Sequence, residues 1–140
     1  MQEIISTLIY CGIGIILMSL GTVLVDVVIP CHFPTEIKNR NVAVGYITAG
    51  ISIGVGIILK SAIMSPEIAG VTTTLLEGIT ETIVYFFIGI GVCIIGYLAI
   101  QAMNKKYDLN KEISDGNPAA GLMVMGLFIG LSIVISGVIY

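Results

Sequence analysis

Charge is the scarcest property of this 140-residue sequence. Asp, Glu, Lys and Arg together make up 11%, against about 25% in ordinary soluble domains, so a wholly water-facing surface is excluded. Reactive side chains are scarce too. His32 is the one histidine, Cys31 adjoins it, and Cys11 and Cys93 fall inside long apolar runs, where a free thiol behaves as a small apolar residue. Catalysis needs nucleophiles, bases or metal ligands gathered together. No second His or Cys lies at ligand spacing from Cys31-His32, so a metal there would need ligands from another subunit. Phosphate loops, nucleophile elbows and cofactor fingerprints are also missing. The expectation is a protein that is no enzyme, with no catalytic, cofactor-binding or metal-ligating residues. The net charge of -3 and the lack of a basic tract argue against nucleic acid as a partner.

What the chain has instead is apolar length. Hydrophobic residues are 56% of the sequence, and four runs are long enough to cross a bilayer, about 20 residues each. They are roughly Ile5 to Ile29, Val42 to Met64, Glu81 to Met103 and Pro118 to Tyr140. Too little chain lies outside them for a soluble domain. Met1-Gln2-Glu3 carries an acid where a signal peptide carries bases, so the first run is expected to stay as a span. Lys38 and Arg40 follow the first run, and Lys105, Lys106 and Lys111 follow the third. By the positive-inside rule both loops are cytoplasmic and both termini face outward. Tyr10, Tyr85 and Tyr140 then fall near the outer interface and Tyr46 and Tyr107 near the inner one, with Tyr97 the exception.

The runs are duplicated. At an offset of 76, Glu36, Ile37, Asn41, Ala43, Gly45, Gly50, Ile53, Gly54, Ile57 and Ile63 recur as Glu112, Ile113, Asn117, Ala119, Gly121, Gly126, Ile129, Gly130, Ile133 and Ile139. Gly12-Ile13-Gly14 similarly falls on Gly89-Ile90-Gly91 at an offset of 77. The expectation is an all-α integral membrane protein of four transmembrane helices in two parallel two-helix repeats. Repeat 1 covers about 5–64 and repeat 2 about 81–140, joined by an outer segment, 65–80. That segment has Ile68, Val71, Leu75 and Ile79 at helical spacing, so it either lies on the membrane surface or extends span three.

Asn117-Pro118 reads as an N-cap followed by proline at the first helical position, and Asn41 is placed to cap span two. Gly50 with Gly54, and Gly126 with Gly130, are small-xxx-small pairs, to which Gly45 and Gly121 add. In lipid such residues let helix backbones approach closely. The six glycines are expected to pack span two against span four, and some homo-oligomer is expected because four short spans leave much surface facing the bilayer.

The pattern Pro34-x-Glu36-Ile37-x-x-x-Asn41-x-Ala43-x-Gly45, its second copy without the proline at Glu112 to Gly121, and the glycine-rich spans that follow resemble the YjfL-like family. These are small four-span bacterial membrane proteins grouped as domain of unknown function 350. The resemblance implies a multi-pass inner-membrane protein with two repeats. It also implies an association, in some bacteria, with peripheral membrane-stress proteins of the phage-shock type. Cys31-His32 departs from the family pattern, and no role carries over to it.

Two functional readings follow. In the first, Lys38, Arg40, Lys105 and Lys106 in the cytoplasmic loops dock a peripheral stress protein onto a non-enzymatic membrane assembly or scaffold; otherwise they belong to ordinary polar hairpins. In the second, Glu77 and Glu81, one helical turn apart, form the acidic vestibule of a small homo-oligomeric cation channel. A narrow path lined by Thr48, Ser52, Ser132 and the glycines would complete it; otherwise the acids, with Glu67, only solvate the outer loop. Asp26 and Lys60 lie about one turn from span ends, within reach of an interface by snorkelling, which gives buried-charge coupled transport little support.

Overall fold

The computed structural model describes residues 1–68, 70 and 72–139, the side chains of Glu67 and Ile68 excepted. Expectations placed on those two side chains, on Val71 and on Tyr140 lie outside the described residues. All regular structure among the described residues is helical: α1 (Gln2–Val28), α2 (Phe33–Lys38), α3 (Val42–Ile68), α4 (Leu75–Met103), α5 (Leu109–Ser114) and α6 (Pro118–Ile139). Helices α1, α3, α4 and α6 are long and apolar enough to cross a membrane. In hydrocarbon every backbone polar group must be satisfied within the segment, which is why these runs are helices.

Helix α3 is the hub. It packs most extensively on α6, then on α4 and α1. Half of its most apolar stretch is buried, against 17% for α1, so α1 is the most loosely held span. Ile47, Ile51 and Val55 of α3 meet Phe86, Ile90 and Cys93 of α4 and Val124 and Phe128 of α6 in one core. Ile29, Phe33, Leu109 and Ile113 continue that core beneath the two short helices. Hydroxyls inside the spans bond to carbonyls one turn back, as Thr48 Oγ1 does to Val44 O at 2.9 Å and Thr82 Oγ1 to Gly78 O at 2.7 Å.

The structure differs from the sequence expectation in the outer segment and in both loops at the opposite end. The third span begins at Leu75 instead of Glu81, because Thr74 and Glu77 form a reciprocal capping box: the Thr74 N–H donates to Glu77 Oε2 at 2.7 Å, and the Glu77 N–H to Thr74 Oγ1 at 3.3 Å. Leu75 to Thr80 therefore extend span three, while Ser65 to Ile68 finish α3. The loops between spans one and two and between three and four are not plain hairpins; each folds a six-residue helix, α2 and α5. The apolar pair Leu109 and Ile113, one turn apart, anchors α5 on the core, and Phe33 anchors α2.

Candidate functional site

The densest set of polar contacts lies where α2 and α5 cover one end of the bundle. Asp26, in the last turn of α1, turns its carboxylate onto the start of α2: the Phe33 N–H donates to Oδ1 at 2.8 Å, and His32 Nδ1 lies 3.4 Å from Oδ2. The acid that reads as a snorkelling side chain is thus engaged by an otherwise unsatisfied helix-start donor. This His32–Asp26 contact is the one approach within 4.0 Å between a basic side chain and a carboxylate among the described residues. Cys31 sits beside it; burial first, then the Glu36 and Asp26 charges, push its thiol up to about 11.

Both short helices close with the same turn. The Asn41 N–H returns to Glu36 O and the Arg40 N–H to Ile37 O; the Asn117 N–H returns to Glu112 O and the Gly116 N–H to Ile113 O. This is the Schellman arrangement, whose penultimate residue must be left-handed. Gly116 takes φ +82° without penalty, whereas Arg40 takes φ +62° with a side chain in place.

Asn41 then begins α3. Its Oδ1 accepts from the Val44 N–H at 3.2 Å, and its Nδ2 donates to Glu36 Oε2 at 2.7 Å, to Ile113 O at 2.9 Å and to Ser114 O at 3.3 Å. One buried amide thereby fastens the end of α2, the start of α3 and the end of α5. Asn117 does less. Its Oδ1 accepts from the Ala119 N–H at 3.0 Å and its Nδ2 donates to Glu112 Oε2 at 2.8 Å. Tyr97, the aromatic out of place in the interface pattern, is fully buried and donates its hydroxyl to Asn110 Oδ1 of α5. Asp108 caps α5 by accepting from the Asn110 and Lys111 N–H groups. Around this cap Lys38, Arg40, Lys105 and Lys106 are all exposed. Asp26 and Tyr97 stood out in the sequence, but without these partners, and Asn110 and Asp108 were not singled out; a readable signal existed for Asp108, an N-cap residue one place before Leu109.

The six glycines separate into two groups. A methyl group at Gly50 would meet the Met125 backbone at 2.8 Å, at Gly54 the Ser132 hydroxyl at 2.5 Å, and at Gly121 the Ala43 backbone at 2.5 Å. These three lie in the α3–α6 contact. Gly45, Gly126 and Gly130 have nothing within 4 Å of such a methyl. At the far end Glu77 and Glu81 are both exposed on the first turns of α4, and Glu77 is engaged in the capping box. Ser132 is fully buried, and the space it lines between α3, α4 and α6 is only about 10 Å³. Among the described residues no group of three or more His, Cys, Asp or Glu could hold a metal ion.

The comparisons agree on the class of protein. The model of the family described as Domain of Unknown Function (DUF350) matches residues 1–139. A UPF0719 transmembrane protein of Aquifex aeolicus (strain VF5) is 27% identical over 128 residues, covering 91% of this chain and 46% of that protein. The chain thus spans about half the length of the curated relative it matches. No solved structure matches the chain. With four membrane-crossing helices and a family match over nearly its whole length, the chain belongs to the DUF350 family as a multi-pass transmembrane protein.

Proposed function

We propose that the protein is a non-enzymatic component of a homo-oligomeric membrane assembly in the bacterial inner membrane. Its two halves are parallel repeats, its termini face outward, and the cap formed by α2 and α5 faces the cytoplasm, where it docks a peripheral membrane-stress protein of the phage-shock type. The observation that carries this reading is the construction of the cap. Asn41 and Tyr97 tie α2 and α5 rigidly to the spans, while four cations project from the same end. A preformed basic surface loses little entropy on docking, and the positive-inside rule favours its cytoplasmic placement. The polar groups of the cap are occupied with helix ends and with one another, which favours a structural role over a chemical one. Gly126 and Gly130, exposed and without neighbours, leave a small-residue face through which a second copy can approach.

Charge reversal at Lys38, Arg40, Lys105 and Lys106, with topology checked first, tests the docking. Loss of a co-purifying partner with normal insertion supports it; a partner retained by a correctly inserted variant refutes it. If insertion flips, the four residues are topology signals and docking fails. A small homo-oligomeric cation channel is the second reading, favoured by the exposure of Glu77 and Glu81 one turn apart. It predicts cation-selective current in planar bilayers that Glu77→Gln with Glu81→Gln weakens.

A further inference from the structure

A groove of about 930 Å³ lies between α1 and α3, at the end of the bundle away from α2 and α5. Its floor is apolar and includes Gly14, Met18, Gly56 and Leu59, and its walls carry two charges of opposite sign, Glu3 and Lys60. It runs from Gln2 to Met18 along α1, roughly 24 Å at helical rise, which exceeds the ~15 Å depth of hydrocarbon in one leaflet. A second hollow of about 680 Å³ shares Ser6, Tyr10 and Ile63 with it and opens among the hydroxyls of Thr72, Thr73 and Thr74. The combined surface is an acyl-length apolar channel leading to a hydroxyl-rich mouth.

We propose that this groove is a binding site for one ethanolamine-headed glycerophospholipid, with its phosphate on Lys60, its ammonium towards Glu3 and an acyl chain along the floor. Lys60 lies six residues before Pro66, where the α3 span ends, so its Cα is about 9 Å inside that end. Its stem lifts the ammonium to the boundary between acyl chains and headgroups, the depth of a lipid phosphate. It is exposed, and no carboxylate lies within ion-pair distance of it among the described residues. A cation at that depth needs an anion, and a phosphate supplies one with charge-assisted hydrogen bonds. Glu3, near the start of α1, stands about 12–16 Å further out, since Gly14 packs on Leu59. The order of charge, cation deep and anion shallow, is the inverse of a zwitterionic headgroup with its phosphate beneath its ammonium. Only 17% of the most apolar stretch of α1 is buried, which leaves the channel open along that helix.

The experiment is native mass spectrometry of the full chain released from nanodiscs of equal phosphatidylethanolamine and phosphatidylglycerol. One phosphatidylethanolamine retained per chain is expected. Lys60→Gln should reduce its occupancy about tenfold or more, the worth of a charge-assisted bond, and Lys60→Arg should restore it. Glu3→Gln should abolish the preference for ethanolamine over glycerol heads. Cys11→Phe, which places a ring in the groove from the exposed face of α1, should expel the lipid while leaving thermal stability unchanged. Retention indifferent to headgroup and to all four variants would overturn the proposal. So would efficient Cys11–Cys11 cross-linking between chains, because a second copy would then occupy the groove.

Discussion

Adding one methyl group at Gly121 or at Gly45 tests whether the helix contact is as asymmetric as the structure has it. The two glycines stand 76 residues apart in matching sequence surroundings, and sequence alone treats them as the same position. At Gly121 the new Cβ would lie 2.5 Å from both the Cα and the carbonyl oxygen of Ala43, where carbon contacts settle at about 3.5–4.0 Å. The obstacle is backbone, so no side chain can rotate away, and α3 and α6 must part locally. Overpacking of this kind costs about 1–3 kcal/mol. At Gly45 the methyl meets nothing within 4 Å, and the substitution only gains helix propensity, about 0.5–1 kcal/mol. Because both variants share that gain, it cancels in the comparison. Gly121→Ala should be less stable than Gly45→Ala by about 1–3 kcal/mol, read from reversible unfolding in mixed micelles at a dilution that keeps the chain monomeric. Equal stability of the two variants would refute the assigned α3–α6 contact.

Three further outcomes follow from the cap. Asn41→Ala should cost about 2–3 kcal/mol, because it removes both the N-cap of α3 and the donor that ties Glu36, Ile113 and Ser114 together at that junction, while Asn117→Ala should cost about 1 kcal/mol, as an ordinary N-cap does; equal losses in an unfolding titration would contradict the bridging role of Asn41. Arg40→Gly should stabilise the fold by about 1 kcal/mol by relieving the left-handed residue of the α2 turn, whereas Gly116→Ala should destabilise it; the two changes in melting temperature should be opposite in sign. In a Cys11→Ser, Cys93→Ser background, maleimide should label Cys31 about 300-fold more slowly at neutral pH than a free thiol of pKa about 8.5. Since burial and the Glu36 and Asp26 charges disfavour the thiolate, the rate should climb steadily up to about pH 11. Asp26→Asn should lower that pKa and speed the reaction, and a plateau near pH 9 would contradict the burial and charges assigned to the thiol.

The spans were legible because a run of about 20 apolar residues has one stable outcome in a bilayer, and the start of α6 because Asn117-Pro118 is unambiguous chemistry. Helices α2 and α5 escaped because six residues hold too few turns for periodicity to register. Their anchors, Phe33 in one and Leu109 with Ile113 in the other, are visible only once the core beneath them is known. The start of α4 was legible in principle: Thr74-Leu75-Leu76-Glu77 carries the spacing of a capping box, but a Glu near a membrane end also reads as vestibule chemistry, and only the geometry shows the box. Tyr97 was anomalous in the interface pattern because its partner, Asn110, belongs to an element the sequence did not reveal. The glycines illustrate a deeper limit. Two parallel helices with the same small-residue motif can meet symmetrically, or one motif can press into the other's backbone while its counterpart faces out. The choice depends on which helix becomes the hub. Helix α3 is enclosed by α1, α4 and α6, so its Gly50 and Gly54 are buried. Helix α6 lies at the edge, and its Gly126 and Gly130 face outward although their sequence surroundings match. Local pattern specifies that a close approach occurs, and tertiary placement decides which glycine makes it.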